Sequence, residues 1–383
     1  MNTAPLAHIA GVGNTAFGRL EGQGPIELMA QAATQALADA QLQRSDIDGL
    51  LCGYATTLPH LMLSTLFAER FGLSVQYGHG MALGGATGAA MLMLARDLVR
   101  VGRCKRVLVV AGENRLTGQA RDSAIQTLAQ VGDAEMEVPN GASVPAYYAL
   151  LASRYMHATG TTQEDLAEFA VLMRANAARH PDAHLRAPIT AADVAASKPI
   201  ATPLRLLDCC PISDGAMALV VSAEPGPGRP VAIVGAGQAH QHQHLSAIDD
   251  VLATGASAAA GRAFAEAGLS HAAIDWLGIY DSFTITLAML LEETGFAPRG
   301  QAAARVRDGT FAPSGALPLN THGGLLSFGH CGVAGGMGHA VEAVRQMRGQ
   351  AGARQLAKPP SRAFVHADGG VLSSHVSLIL SET

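Results

Sequence analysis

The stretch ALADAQLQRSDIDGL, residues 36–50, recurs later in the chain as AFAEAGLSHAAIDWL, residues 263–277. The two stretches align without a gap, and each has the apolar spacing of an amphipathic helix followed by Ile-Asp-x-Leu at the entry to a strand. Alanine-rich helices tend to look alike, but the shared Ile-Asp-x-Leu at matched spacing favours duplication. We therefore expect two similar halves related by a pseudo-two-fold axis.

A second, weaker repeat supports the same division. GAAMLMLARDLVRVG, residues 88–102, matches GGMGHAVEAVRQMRG, residues 335–349, in length and in its glycine ends, and SAEPGPGRP between the halves is typical of a linker. We predict an N-terminal half at 1–224 and a C-terminal half at 229–383. Strand-like runs alternate with helices in both, which favours a layered α/β fold. Residues 114–203 break the alternation, and we expect an inserted cap over a site there.

Composition narrows the class of protein. The chain has 383 residues, of which 49% are hydrophobic, which suffices for a large core and more than one domain. A net charge of −5 argues against a basic face for nucleic acid. No signal peptide and no membrane span are recognisable. The five cysteines are odd in number and include no CxxC pair, so we expect a reducing, cytoplasmic location.

A glycine-rich turn leads into one of the repeated helices. YGHGMALGGATGAAMLMLARDLVRVG, residues 77–102, places Gly85 and Thr87 at the start of an apolar helix. The N-terminus of a helix offers free N–H groups and the positive end of the helix dipole, which suit an anion or a thiolate. The turn nevertheless contains no cysteine, and its only hydroxyl belongs to Thr87.

The densest cluster of reactive side chains is LPLNTHGGLLSFGHCGVAGGMGHA, residues 317–340. It carries Asn320, His322, His330 and Cys331 among many glycines. Because glycine weakens packing, this mixture is more typical of an active-site loop than of a core segment. The alternative is a turn-rich connector with solvated histidines.

Two further stretches hold candidate residues. In GIYDSFTITLAMLLEE, residues 278–293, Tyr280 ends a short strand before a helix, where α/β proteins place ligands. The alternative for Tyr280 is a buried phenol with one hydrogen bond. In VHADGGVLSSH, residues 365–375, Gly370 belongs to a glycine turn that Asp368 helps to form as a hairpin.

Metal binding and disulfide chemistry are not expected. QAHQHQH puts His240, His242 and His244 on one face of an extended segment, as in some zinc sites, but no carboxylate or cysteine lies close in sequence. We therefore predict no metal. The adjacent Cys209 and Cys210 are interpreted as packing thiols.

Together these motifs resemble the thiolase superfamily, most closely its sterol-carrier-protein, lipid-transfer type. The resemblance covers nearly the whole chain and is most specific in NTHGGLLSFGHCGVAGG, residues 320–336. It implies a duplicated five-layered αβαβα fold with an inserted cap, and a CoA thioester as substrate with no covalently bound cofactor. It also implies a homodimer, in which we expect RVLVVAGE, residues 106–113, to lie against its symmetry mate.

The resemblance further implies roles for single residues. Thiolases carry a nucleophilic cysteine at the first helix N-terminus, where Gly85 stands here, and a catalytic histidine where His330 stands. A second catalytic cysteine is absent, because residues 367–370 read Ala-Asp-Gly-Gly. One lyase subgroup, the steroid side-chain retro-aldolases, lacks the nucleophile, uses a tyrosine as acid/base and pairs with a small OB-fold/zinc-ribbon protein. Tyr280 stands where that tyrosine is expected.

Three functions remain open at this stage. The first is retro-aldol cleavage of a β-hydroxyacyl-CoA, in which Tyr280 and His330 serve as base for the β-hydroxyl and donor to the thioester carbonyl. The second is an acyltransferase or thiolase with Cys331 as a displaced nucleophile. The third is a non-catalytic subunit that binds CoA or lipid. The expected oxyanion and substrate pocket consists of Gly85, Thr87, Asn320, His322 and Gly370.

Overall fold

The computed structural model describes residues 5–141 and 143–383. These residues form eleven strands: β1 (His8–Asn14), β2 (Gly49–Gly53), β3 (Tyr77–Met81), β4 (Arg106–Asn114), β5 (Pro199–Ala201), β6 (Leu204–Arg205), β7 (Asp214–Ser222), β8 (Val231–His240), β9 (Trp276–Ile279), β10 (Arg362–Gly369) and β11 (Ser374–Glu382). They also form eleven α-helices: α1 (Pro25–Asp39), α2 (Leu63–Phe71), α3 (Thr87–Arg100), α4 (Arg121–Ala129), α5 (Val144–Thr159), α6 (Gln163–Ala177), α7 (Ala191–Ala196), α8 (Ala256–Ala267), α9 (Thr284–Glu293), α10 (Ala302–Arg307) and α11 (Val333–Arg348). Among the helices of these residues, none is long and apolar enough to cross a membrane.

The strand order contains the same pattern twice. Nine strands form one sheet in the order β3-β2-β4-β7-β1-β8-β11-β10-β9. In the first half β1–β7 and β7–β4 are antiparallel and β4–β2 is parallel, and in the second half β8–β11 and β11–β10 are antiparallel and β10–β9 is parallel. The halves meet where His8 of β1 pairs with Ala232 of β8. The connection from β7 to β8 coincides with the Pro/Gly stretch that the sequence marks as a linker.

Helices form three layers around the two half-sheets. Helices α3 and α11 pack against each other and against strands of both halves, so they make the middle layer. Helix α1 packs on β1, β4 and β7, and α8 packs on β8 and β11, on the outer sides. The sequence repeats therefore correspond to equivalent elements, with α1 matching α8 and α3 matching α11. The predicted α/β class and the αβαβα arrangement are confirmed.

The segment between the neighbouring strands β4 and β7 carries α4, α5, α6, α7 and the small ribbon β5–β6. Helix α6 begins after an N-cap at Thr162, whose Oγ1 accepts a hydrogen bond from the Asp165 amide at 3.2 Å. Tyr148 of α5 is fully buried, and its hydroxyl lies 3.1 Å from the Asp368 carboxyl of β10. The segment thus contributes a side chain to the interior of the main fold.

One expectation about assembly is wrong. Strand β4, which contains RVLVVAGE, is hydrogen-bonded to β2 on one side and to β7 on the other. It has no edge left for a symmetry mate, because a strand pairs on two sides only. The first half of the sheet ends instead at β3, where Gly78, His79 and Gly80 are exposed.

Candidate active site

A cavity of about 260 Å³ lies where the carboxyl ends of β9 and β10 meet the N-termini of α3 and α11. Because β9 and β10 are parallel neighbours, their carboxyl ends share one edge of the sheet. Tyr280 directly follows β9, and the amide of Tyr280 donates to His366 O of β10 at 3.0 Å. Of the candidates from sequence, the cavity brings together Gly85, Tyr280, His330 and Gly370.

The hydroxyl of Tyr280 fills the space beside Gly85. A Cβ atom at position 85 would lie 2.0 Å from Tyr280 Oη and 2.5 Å from Asp368 O. Both distances are far shorter than a van der Waals contact. Glycine at this position therefore allows the phenol to reach the N-terminus of α3, and the phenol stands where a side chain at position 85 would otherwise project.

Tyr280 and His330 form a hydrogen bond whose donor can be assigned. Tyr280 Oη lies 3.0 Å from His330 Nε2, while the Gly332 amide donates to His330 Nδ1 at 3.2 Å. Nδ1 must therefore hold a lone pair, and a neutral imidazole then carries its proton on Nε2. Burial, followed by the nearby Arg115, lowers the pKa of His330 to about 3, which keeps the ring neutral at pH 7. His330 thus donates its N–H to Tyr280.

The resting form of Tyr280 is the phenol. Burial raises the pKa of Tyr280 well above its usual range. The hydrogen bond from His330 Nε2 acts in the opposite sense, because it stabilises negative charge on the phenolic oxygen. The pair therefore suits a tyrosine that is a phenol at rest and becomes a phenolate only during proton transfer.

Asp368 and Tyr148 line the same cavity, and sequence reasoning missed both. The Tyr148 hydroxyl lies 3.1 Å from Asp368 Oδ2 and 3.2 Å from Gly370 O, and its ring stacks on Phe283. Asp368 was expected only as part of a hairpin, and it does stand at the end of β10 before the turn to β11. Tyr148 lies 220 residues away in sequence, and no local pattern indicates that it reaches this carboxyl.

Thr87 and Asn320, which the sequence places in the pocket, have supporting positions instead. Thr87 Oγ1 accepts from the Leu83 amide at 2.8 Å and donates to Gly84 O at 2.6 Å, which closes the turn before α3. The Asn320 amide pairs with both backbone groups of Ile279, at 2.9 and 2.7 Å. Because Ile279 directly precedes Tyr280, Asn320 fixes the strand end that presents the phenol.

His322 and Cys331 do not line the cavity. His322 is buried, neither of its ring nitrogens has a hydrogen-bond partner among the described residues, and its ring packs edge-on against His339. Burial lowers the pKa of His322 well below its usual range, so it is a neutral core residue. Cys331 is also fully buried, and burial raises the pKa of its thiol well above the usual range. The expectations that His322 contributes to the pocket and that Cys331 is a nucleophile are therefore corrected.

Two further cavity residues escaped sequence reasoning. Cys210, expected as a packing thiol, lines the cavity, and burial raises its pKa. Arg115 lines it as well, with its guanidinium Nε 3.8 Å from the Glu113 carboxylate. Arg115 directly follows the buried strand β4, and a charged residue in that position is a signal that would have identified it.

Comparisons with known proteins agree with this architecture. A family model described as "Thiolase C-terminal domain-like" matches residues 237–382. The "Steroid side-chain-cleaving aldolase" of Thermomonospora curvata is 37% identical over 360 residues, covering 90% of this chain and 90% of that protein. The "Acetyl-CoA acetyltransferase" of Methanothermobacter thermautotrophicus is 31% identical, covering 91% of this chain and 92% of that protein.

A solved structure, "Ltp2-ChsH2(DUF35) aldolase", superposes with a TM-score of 0.86 at 32% identity and covers 99% of both chains. The relatives therefore include both lyases and acyltransferases, and the similarity extends over almost the full length of each. On this identity and the shared fold, the chain belongs to the thiolase superfamily, among relatives that include the steroid side-chain-cleaving aldolases.

Proposed function

We propose that this protein cleaves the Cα–Cβ bond of a β-hydroxyacyl-CoA by a retro-aldol reaction. The observation that carries the proposal is the position of Tyr280, whose hydroxyl fills the space beside Gly85 and receives a hydrogen bond from His330. A phenol in this place supplies acid/base chemistry at the N-terminus of α3, where a thiolate would supply nucleophilic chemistry. The aldolase and lyase relatives support the same reaction class.

The cleavage step moves one proton and two electron pairs. The resting phenol of Tyr280 first gives its proton to water, and the phenolate, which the N–H of His330 stabilises, takes the proton of the β-hydroxyl. The O–H pair then becomes the π-bond of the new carbonyl, and the Cα–Cβ pair passes to the thioester as an enolate. A proton added at Cα then gives the shortened acyl-CoA, and the other product is an aldehyde or ketone. Nothing is oxidised or reduced overall, so the step requires no redox cofactor, and we propose that none is bound covalently.

His330 has a narrower role than the sequence suggests. Its only ring N–H points at Tyr280, and its other nitrogen accepts from Gly332. It therefore stabilises charge on the phenolic oxygen and does not polarise the thioester carbonyl in this arrangement. In this proposal His330 is a positioning residue for Tyr280.

A thiol mechanism fits the geometry less well. Cys331 lies outside the cavity and Cys210 lies inside it, and burial raises the pKa of both thiols. The thiolate is the nucleophilic form of cysteine, and neither environment favours it. We therefore do not assign a covalent acyl-enzyme step to either residue.

We also propose two protein partners and a compartment. The exposed edge of β3 suits pairing with β3 of a second copy, which would complete a homodimer and cover unpaired backbone groups. A small OB-fold/zinc-ribbon protein is proposed as a second partner, a choice supported by the superposition on the Ltp2-ChsH2(DUF35) aldolase. The five free thiols suit a reducing compartment, and we propose the cytoplasm.

The proposal is tested by incubating the protein, alone and with a co-expressed partner, with a panel of β-hydroxyacyl-CoAs. Mass spectrometry should detect a shortened acyl-CoA together with an aldehyde or ketone in equal amounts. Transfer of an acyl group to free CoA, abolished by iodoacetamide, would instead support the acyltransferase. Binding of acyl-CoA with no turnover in either preparation would support a non-catalytic subunit.

A further inference from the structure

An enolate formed from a thioester needs a hydrogen-bond donor at its oxygen. Donors that are already in place when negative charge develops contribute much of the rate in such reactions. The neutral His330 ring has one N–H, and Tyr280 accepts it. The donor for the thioester oxygen must therefore be another group in the cavity.

Asp368 is placed to be that donor. Its side chain lies at the end of β10, is almost completely buried and lines the cavity. Oδ2 is 3.1 Å from the Tyr148 hydroxyl, whereas Oδ1 has no hydrogen-bond partner in the described protein. An unpartnered buried oxygen is costly, and polar groups left in this state are commonly completed by a ligand.

The environment of the Asp368 carboxyl favours its neutral form. Burial raises the pKa of Asp368 well above its usual range, and the hydrogen bond with the Tyr148 hydroxyl counteracts burial only in part. A nearby carboxylate, Glu293, raises the pKa further. A pKa shifted in this direction favours the protonated acid, which can act as a hydrogen-bond donor, as aspartic acids in apolar sites do in other enzymes.

The proton of the neutral Asp368 carboxyl can sit on either Oδ1 or Oδ2. With Tyr148 donating to Oδ2, the proton sits on Oδ1, which is buried and has no partner in the described part of the chain. With Tyr148 donating to Gly370 O at 3.2 Å, the proton can sit on Oδ2 and bond to Tyr148. A negative oxygen beside Oδ1 selects the first arrangement, because only that one offers it a donor.

We propose that Asp368, as the neutral acid, donates a hydrogen bond from Oδ1 to the thioester oxygen of the acyl-CoA as the enolate forms. Tyr148 orients the carboxyl and is a positioning residue. The inference rests on the proposed function for its role in cleavage, but the contact with a thioester oxygen can be measured without turnover.

Two substitutions distinguish the effect of losing the hydrogen-bond donor from the effect of changing the side-chain volume. Asp368→Leu keeps a similar size and removes the donor, and turnover should fall about 100- to 1,000-fold. Asp368→Asn keeps an N–H donor and should lose roughly tenfold or less. Asp97→Asn is the matched control, because the Asp97 side chain is 48% exposed on α3, and it should retain wild-type turnover. Asp368→Leu that melts like the wild type and keeps its turnover would overturn the inference.

Binding gives a readout that does not depend on the lyase reaction. The Kd of an acyl-CoA is compared with that of its thioether, in which CH₂ replaces the carbonyl. The wild type should prefer the thioester by roughly three- to tenfold, and Asp368→Leu should lose most of this preference. If this pattern holds while no acyl-CoA is cleaved, the proposed function fails and the donor assignment stands. If cleavage proceeds and the preference is unchanged in the variant, the donor assignment fails alone.

Infrared spectroscopy covers the case in which Asp368→Leu does not fold. The difference spectrum between wild type and Asp368→Asn at pH 7 should contain the C=O band of a protonated carboxylic acid, which shifts in D₂O. The bands of an ionised carboxylate in its place would overturn the inference, because an ionised Asp368 would repel the enolate.

Discussion

The close approach of Gly85 and Tyr280 predicts a large effect from the smallest substitution, Gly85→Ala. Gly85 does not have a positive φ, so alanine is compatible with the backbone and only the new methyl group matters. That methyl carbon would lie 2.0 Å from Tyr280 Oη and 2.4 Å from Tyr280 Cζ. The other side of the site is backbone, at 2.5 Å from Asp368 O, so the methyl group cannot turn away.

The size of the effect follows from the displacement required. Contacts of a Cβ below 3.0 Å essentially never occur, so the Tyr280 hydroxyl must move by about 1 Å or the turn before α3 must shift. Overpacking of a buried site costs about 1–3 kcal/mol of stability. A displacement of about 1 Å at a reacting group costs roughly 100-fold in rate. We therefore expect Gly85→Ala to lower both the Tm and the turnover, the latter by about two orders of magnitude.

The control for this substitution is Gly261→Ala. Gly261 lies in α8, and among the described residues no atom outside its own stretch of helix lies within 4 Å of its added Cβ, so alanine there should be neutral or stabilise by about 0.5–1 kcal/mol through its helix propensity. Both variants are compared with the wild type by calorimetry and by the mass-spectrometric cleavage assay. A Gly85→Ala protein with wild-type Tm and wild-type turnover would refute the placement of Tyr280 against position 85.

Three other outcomes follow from the same site. Cys331→Ala and Cys210→Ala should each keep most of the cleavage activity, and abolition by either substitution in an otherwise stable protein would restore the thiol mechanism. Because the pKa of His330 is lowered to about 3, the ring takes up a proton only near that pH, so the rate profile should show no His330-dependent loss between about pH 8 and pH 5; an acidic limb near the ordinary histidine pKa that disappears in His330→Gln would contradict the neutral ring. His79→Asp on the exposed edge of β3 should convert the dimer to a monomer in light scattering, because like charges would face each other across the two-fold axis; a wild-type monomer would contradict the proposed assembly.

The layered fold was predictable because the helix-to-strand pattern that produces it is local in sequence and occurs twice. The helix-to-strand pattern around Ile47 and around Ile274 places an outer helix and the next strand in each half, and the glycine-framed helices after Gly88 and Gly335 correspond to the middle layer. The pairing of β4 was not predictable in the same way. A run of buried residues indicates that a strand is internal, but it does not say which strands lie on either side.

The candidate site was predictable only where reactive side chains lie in short, distinctive stretches of the sequence. Tyr280 and His330 stand in glycine-rich or strand-end contexts, and both line the cavity. Asp368 looked like a turn residue, because a buried carboxyl and an exposed one have the same sequence context. Its partner Tyr148 comes from α5, and only the tertiary fold brings the two together. The expectation that His322 lines the pocket was misled in the opposite way, since a glycine-rich loop can also be packed into the core.

The most direct test of the account is the comparison of wild type with Tyr280→Phe in the cleavage of a β-hydroxyacyl-CoA, with the partner present. The substitution removes the hydroxyl that accepts from His330 at 3.0 Å and leaves the ring in place. Loss of one positioned acid/base group should reduce kcat by about 100- to 10,000-fold, with the Kd for acyl-CoA unchanged. Cleavage by Tyr280→Phe at the wild-type rate would contradict the assignment of Tyr280 as the acid/base.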